Sequence, residues 1–415
     1  MTINIFNNIE HVNPFSLLFF RVSALRLRLG VGDHVSPVKP SGAGARSINQ
    51  RAVPDPLDHR LIPLDRNHGS CAKSYGVDRA RGRYILFLDD DSCPRSGSVE
   101  RMIERFDAAP DLAAAGFTVF LPSGRREGAA LPHVFVGCGV GLRAEALRSV
   151  GGLDRSFFMQ AEEYDLCFRL VQAGWQSEVF DDLHVDHLKT QHARRTERTI
   201  FYDVRNNLRV AARYLPAPYH RVYAEDWRLR YQWLAQIDGH QEAFARGLAA
   251  ARRRRALDRV LFKPRRLGKD ALENFFRFDE IRQHMTDLSR SGVRRIVLAD
   301  FGKNLYAFHK AAAEVGVAVA TIADDRFCSA GRVYRDVPIV PVAEALRADF
   351  DAVVVAQCGV VQAESTYQRL RQQTGAPIHS WFTGAPQSHA SSARSTNARP
   401  ITKETQDAQP CAVEA

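Results

Sequence analysis

Tyr84-Ile85-Leu86-Phe87-Leu88-Asp89-Asp90-Asp91 is the stretch whose reading decides the fold. A short, nearly continuous apolar run bounded by a turn suits a buried strand. The run ends in three carboxylates, then Ser92-Cys93-Pro94. Acids crowded at one strand end repel one another unless a cation sits among them. Hard divalent cations such as Mg²⁺ take oxygen ligands and commonly bridge carboxylates to substrate phosphates. In open α/β sheets, ligands bind beyond the carboxyl ends of the strands. Chemistry and position therefore agree on a metal–diphosphate site. The competing reading is a solvated acidic turn.

The residues downstream favour the site. Gly137–Gly141 reads Gly-Cys-Gly-Val-Gly and runs into Leu142-Arg143. Next come Gly151-Gly152-Leu153-Asp154, then Ala161-Glu162-Glu163-Tyr164-Asp165, and finally His187. Arg66-Asn67-His68-Gly69 lies upstream. In this order the set closely resembles the family 2 glycosyltransferases of the GT-A fold, over roughly residues 62–215.

The resemblance implies an inverting, metal-dependent transferase. It would use Mg²⁺ or Mn²⁺ and move a sugar from a nucleotide-diphospho-sugar donor to a glycan or lipid-linked acceptor. The setting implied is cell envelope polysaccharide synthesis. Carried over residue by residue, Asp91 is the direct metal ligand and Asp89 contacts ribose or metal-bound water. His187 completes the metal or diphosphate site. Asn67, Gly69 and Arg143 belong beside the donor with Asp89. Glu162-Glu163 stands where the family has Glu–Asp, which makes Glu163 the expected general base, with Asp165 and Glu162 as rivals. The extra methylene of Glu163 displaces the carboxylate by about one bond length, which matters where catalysis depends on placement. Read without the resemblance, these acids are helix N-terminal charges, each stabilising by roughly 0.3–1 kcal/mol.

At 415 residues the chain is long for one domain. The expected layout is an atypical, partly disordered N-terminus over 1–60 and a GT-A-like core over 61–215. An Arg-rich helical linker over 216–290 comes next, then a Rossmann-like α/β domain over 291–385 and a disordered tail over 386–415. Strands are expected at Leu61–Leu64, Leu112–Leu121 and Glu178–His187, and helices at Cys71–Ala80 and Val99–Ala108. Near the end, Ile296–Ala299, Val317–Ala323 and Ala352–Ala356 read as strands, with a helix over Leu305–Val315. Asp324-Asp325 closes the second of these strands and could hold a ribose, but the glycine fingerprint of dinucleotide sites is absent.

Seven scattered cysteines with no close pair argue against a disulfide framework or a structural zinc site. A reducing cytoplasm is expected. Net charge is +10, with much of the arginine between Arg194 and Arg266. Such a surface suits peripheral contact with an anionic inner membrane face; no nucleic-acid partner is expected. Phe15–Leu29 is apolar but interrupted by Arg21, Arg26 and Arg28, and is too short to span a bilayer. It could lie on a membrane surface as an amphipathic helix. Residues 1–60 show no counterpart of the turns with which the family grips base and ribose. The alternative function is therefore a non-catalytic GT-A-like binding or scaffold protein.

Overall fold

The structure is a computed structural model that describes residues 2–6, 17–21, 58–188, 196–261, 266–329 and 331–381. These belong to one compact unit built on two sheets. The first contains β1 (Thr2–Phe6), β2 (Leu17–Arg21), β3 (Asp58–Ile62), β4 (Tyr84–Asp89), β5 (Ser92–Pro94), β6 (Leu112–Phe120), β7 (Arg126–Glu127), β8 (Gly139–Arg143) and β9 (Gln176–His187). Their order is β3-β2-β1-β4-β8-β6-β9-β5, with β7 paired to β6. The second contains β10 (Arg295–Ala299), β11 (Ala318–Ala323), β12 (Val333–Tyr334), β13 (Val337–Val340), β14 (Ala352–Val355) and β15 (Ile378–His379), in the order β12-β13-β11-β10-β14-β15.

In the first unit the helices are α1 (Lys73–Val77), α2 (Ser98–Ala108), α3 (Ala144–Ser149) and α4 (Glu162–Gln172). A helical layer comes next: α5 (Glu197–Tyr214), α6 (Tyr219–Asp238), α7 (Gln241–Leu261), α8 (Lys269–Phe276) and α9 (Phe278–Arg290). The second sheet carries α10 (Leu305–Glu314), α11 (Val342–Ala345) and α12 (Val360–Arg371).

β4 is buried along its apolar run and only Asp89 reaches partial exposure, so the acids do sit where the strand emerges from the core. Its neighbours differ in direction: β1 is parallel to it and β8 antiparallel. β8 is glycine-rich for a steric reason. A Cβ at Gly141 would lie 2.1 Å from the Met102 sulfur of α2, and one at Gly139 would lie 2.5 Å from Val185 of β9. Only glycine lets helix and strand approach that closely.

Several elements begin or end away from their expected positions. β3 spans Asp58–Ile62 rather than Leu61–Leu64, because Pro63 has no N–H to continue the ladder. The expected helix over Cys71–Ala80 is a 3₁₀ turn at Gly69–Ala72 and then the single short helix α1. Leu17–Arg21 is strand β2, not part of a surface helix. Gly174 lies just past α4 at φ +87°, the left-handed position that glycine tolerates after a helix. The expected tail over 386–415, and most of 1–60, lie outside the described residues.

The second sheet is parallel from β13 through β15, with β12 added as an antiparallel edge. Ile296–Ala299 and β14 are buried on both faces, as parallel strands covered by helices require. Its acids serve the fold. Asp324 accepts from the backbone N–H groups of Phe301, Arg326 and Phe327 at 2.7–2.9 Å. Asp325 accepts from the Val342 N–H at 2.9 Å. The acid pair at the end of β11 is thus engaged in closing loops.

The helical layer is fastened to the first unit by buried charge. Asp258 of α7 takes bonds from both Arg209 and Arg213 of α5, at 2.7–2.9 Å. Arg213 also donates to Asp154 and Asp165 at 2.9 and 3.0 Å. Burial opposes ionisation of Asp154, but Arg209, Ser156 and Arg213 outweigh it and hold its carboxyl at about 2.

Asp258→Ala would leave two arginines buried without their carboxylate, and removing one partner of a buried pair typically costs about 3–5 kcal/mol. Urea unfolding should show a loss of that order, and a loss below about 1 kcal/mol, the exposed-pair range, would contradict the clamp. Asp154 should add an acid-labile contribution: present above the unfolded value of ~3.9, and lost as pH falls toward the folded value of about 2. Asp154→Asn should remove that part of the pH dependence.

Candidate functional site

The strand-end acids acquire partners from several segments. Asp89 accepts from the Lys73 ammonium at 2.7 Å, and Lys73 also donates to the Gly137 carbonyl at 2.6 Å. Burial would depress the Lys73 ammonium, but the Asp89 carboxylate outweighs it and raises it above its ordinary value. Asp91 lies beyond the turn, where β5 pairs with the end of β9. That pairing brings His187 Nε2 to 3.3 Å from Asp91 Oδ1. On its other nitrogen, His187 Nδ1 is 3.0 Å from Glu127 Oε2 and 3.5 Å from the Cys138 sulfur. Burial disfavours the imidazolium, yet Asp91, Cys138 and Glu127 together push it up to about 12.

Asp89, Cys138 and His187 each offer a ligand atom within 4.8 Å of the others. Carboxylate and neutral imidazole are ordinary donors for divalent ions, so the residues fit a metal that displaces the His187 proton. Of the three expected ligands, Asp91 and His187 are in contact and Asp89 joins His187 in this group. Reading the sequence alone misses Lys73, Glu127 and Cys138. Cys138 lies inside the glycine-rich run read as a loop, and Lys73 one turn after Gly69. Neither position carries a signal of its own without the sheet pairing.

Asn67 and Gly69 shape the approach to α1. The Asn67 side chain accepts from the Gly69 N–H at 2.8 Å. Gly69 has φ +59°, and a Cβ there would lie 2.4 Å from the Phe158 carbonyl oxygen. Arg143 is placed elsewhere: its guanidinium donates to the carbonyls of Phe106, Ala109 and Leu112 at 2.7–2.9 Å, closing the end of α2. No part of it reaches the acid cluster through these bonds.

The acids of α4 divide into two kinds. Asp165 is buried and accepts from Arg169, Arg213 and Tyr214 at 2.6–3.0 Å, so it belongs to the helix clamp. Glu162 and Glu163 lie just before it at the helix start, and the Oε2 of each is out of water with no hydrogen-bond partner among the described residues. Burial raises both carboxyls. Repulsion from Glu163 raises Glu162 further, while Lys303 and Lys73 partly offset the effect on Glu163.

The loop leading to them is strained. Phe158, Gln160 and Ala161 have φ of 68°, 67° and 62°, a region costly for side-chain-bearing residues. It is held in place from α5. Asn206 donates to the carbonyls of Phe157, Met159 and Gln160 at 2.7–3.0 Å, and Arg205 to those of Ser156 and Phe157.

Glu163 lines a cavity of about 370 Å³. Glu127, which touches His187, lines the same cavity. The base candidate and the metal cluster are therefore contiguous. A larger cavity of about 880 Å³, between α4 and α8, has neither acid of the cluster in its wall.

The chain is similar in part to known proteins. Residues 41–150 match the model of the glycosyl transferase family 2 family. A succinoglycan biosynthesis protein, ExoO, of Rhizobium meliloti is 46% identical over 81 residues, 19% of this chain and 23% of that protein. A pre-mycofactocin glycosyltransferase of Mycobacterium tuberculosis is 29% identical over 126 residues, 25% of this chain and 27% of that protein. The chain thus spans about a quarter of the length of the curated relatives it matches. Among solved structures, a mannosyltransferase from Pyrobaculum calidifontis in complex with GDP-Man and Mn²⁺ is 16% identical. It covers 46% of this chain and 57% of its own, at a TM-score of 0.30.

Binding of Mn²⁺ to the chain without nucleotide, read from the electron paramagnetic resonance of the free ion, should weaken in Asp91→Ala and in His187→Ala. Even outer-shell losses at metal sites cost about 10–100-fold, so a loss of at least about tenfold is expected. Equal affinity in both variants would show that this cluster does not hold the ion.

Proposed function

We propose, for a chain that carries a family 2 glycosyltransferase domain, that it moves a sugar with inversion from a nucleotide-diphosphate donor to a glycan or lipid-linked acceptor. The observation that carries this reading is the single cavity wall shared by Glu163 and Glu127, with Glu127 bonded to His187 beside Asp91. A site for leaving-group charge and a desolvated base thus stand on one cavity, as glycosyl transfer needs.

Asp91, Asp89 and His187 would hold the metal, with Cys138 beside them. A set mixing carboxylate and imidazole suits Mn²⁺ better than the all-oxygen environment preferred by Mg²⁺. Bound there, the ion would neutralise charge gathering on the departing diphosphate.

The remaining steps belong to the protein. Lys73 holds Asp89 in place through a buried ion pair. Asn206 and Arg205 fix the strained loop that aims Glu163. Glu163 takes the proton from the acceptor hydroxyl as its oxygen attacks the anomeric carbon. Desolvation raises the basicity of Glu163, the direction that favours proton abstraction near neutral pH. Asp165 is a poorer candidate, because three donors occupy its oxygens. The exposed Arg252, Arg253 and Arg255 of α7 would support contact with an anionic membrane face. Among the described residues no helix is long and apolar enough to cross a membrane.

A second reading, a binding protein with a deficient nucleotide pocket, draws on the N-terminal edge. β2 runs antiparallel to both β1 and β3. Nucleotide crevices form at the carboxyl ends of parallel strands, and here the middle strand presents its amino end.

Glu163→Gln, nearly isosteric, should lower transfer by at least about a hundredfold while donor binding persists, the size expected for loss of a general base. Asp165→Asn should instead lower stability, and a dead Asp165→Asn beside an active Glu163→Gln would reverse the assignment.

For the N-terminal edge, calorimetry of UDP and GDP with Mn²⁺ should show weak binding that barely distinguishes the bases. Each polar contact forgone is worth about 1–3 kcal/mol, so several raise Kd by roughly two orders of magnitude or more. Grafting a family-type opening before Leu61 should restore affinity. Tight, base-selective binding by the unaltered chain would show that residues 1–60 do form the pocket.

A further inference from the structure

We infer that the C-terminal α/β unit forms part of the acceptor pocket, with Lys303 and Gln362 binding the hydroxyls of a pyranose presented to Glu163. The inference rests on the transferase reading for the word acceptor, and on geometry alone for the pocket.

The cavity that contains Glu163 has walls from three parts of the chain. The first unit supplies Glu163 and Tyr164. The helical layer supplies Asn207, from α5, and Tyr231, from α6. The second sheet supplies Lys303, from the loop after β10, and Gln362, from the first turn of α12. The contact is built rather than incidental. Gln362 donates to the Gly128 carbonyl at 2.5 Å, and Arg126 pairs with Glu364. A Cβ at Gly128 would lie 2.8 Å from Val361, and one at Gly359 would lie 2.3 Å from the Ala129 carbonyl. The start of α12 is thus pressed onto the 126–130 segment with glycine on both sides of the seam.

Lys303 is carried into the cavity by its neighbours. Trp227 donates from its ring nitrogen to the Lys303 carbonyl at 2.8 Å, fixing the backbone. The ammonium donates to Asn207 Oδ1 at 2.8 Å and lies 4.7 Å from the Tyr164 ring centre and 5.9 Å from that of Tyr231. Two residues of this wall each carry a buried oxygen with no hydrogen-bond partner among the described residues, Glu163 Oε2 and Gln362 Oε1. Buried acceptors left unmatched are costly, and such atoms ordinarily await a donor. Both residues line the same cavity, from opposite sides of the seam.

Aromatic faces, planar amides and a fixed ammonium around about 370 Å³ suit a small polar ring molecule. A pyranose offers apolar C–H faces to the tyrosines and hydroxyl donors to the two unmatched oxygens. One such hydroxyl would be the nucleophile at Glu163. The role asks nothing of Asp324 and Asp325, which close loops in the same sheet. The unit therefore serves the cavity through its loop after β10 and its α12 start, not through a nucleotide of its own.

The test uses the full chain and p-nitrophenyl glycosides of glucose, galactose, mannose and N-acetylglucosamine, with binding read by saturation-transfer NMR. At least one glycoside should receive saturation on its pyranose protons. Its Kd should rise at least about tenfold, a 1.4 kcal/mol effect, in Lys303→Met and separately in Gln362→Leu. Lys303→Arg should retain part of the affinity, and Mn²⁺ binding at the Asp91–His187 cluster should be unchanged in all three. Using two variants from separate elements guards against misfolding of either. Glycoside binding within about twofold of the unaltered chain in both variants, well under that tenfold criterion, would overturn the inference. So would absence of saturation transfer from the unaltered chain to any member of the panel. Failure of UDP and GDP to bind, with glycoside binding still lost in Lys303→Met, would instead remove the transferase reading and leave the pocket assignment standing.

Discussion

A carboxylate withdrawn from water needs a cation, a set of donors or a proton, and this requirement organises the molecule. Asp89 has Lys73, Asp91 and Glu127 have His187, and Asp165 has Arg169 and Arg213. Asp154 shares Arg213 with Asp258, which ties the strand-end turn, the acidic helix and the helical layer into one network. Glu162 and Glu163 stand apart, each with an oxygen that nothing in the described residues satisfies. Of the two, Glu163 lines the cavity, and the satisfied carboxylates build the frame around it.

That division bears on how function arises from stability. Asp165 and Glu163 sit two residues apart on one helix start, yet their environments push them to opposite tasks. Hydrogen bonds from Arg169, Arg213 and Tyr214 occupy Asp165 within the clamp. Burial lifts Glu163 toward the pH at which it can take up and release a proton. The strained loop before them would relax if Asn206 did not hold three of its carbonyls. The helical layer thus acts on the site through backbone carbonyls, where no catalytic motif would draw attention to it.

Much of this is legible in the residues. The apolar run into three acids locates β4 and its exposed end, and periodicity locates α2 and β9 to within a residue or two. The parallel second sheet is readable from its short β-branched runs. Other features depend on pairings that spacing does not encode. Cys138 and Glu127 reach His187 only because β7, β8 and β9 lie together around β6. Lys303 meets Asn207 only once the two sheets are packed, since neither residue sits in a motif. Arg143 lies among residues that resemble a donor loop, but its long side chain satisfies helix-end carbonyls instead, a demand that any helix terminus makes and that local sequence does not reveal. Loop N–H groups likewise claim the carboxylates of Asp324 and Asp325, which spacing alone does not reveal.

The central claim is that a divalent ion and a diphosphate meet at Asp91 and His187, which Glu127 joins to the cavity that Glu163 lines. Crystals of the full chain grown with Mn²⁺ and UDP or GDP, measured at the manganese absorption edge, address it directly. The account predicts one strong anomalous peak within coordination distance of Asp91 and His187, with diphosphate density joined to it and the cavity at Glu163 adjacent. A peak held by other residues, or diphosphate density bound away from the end of β4, would contradict it.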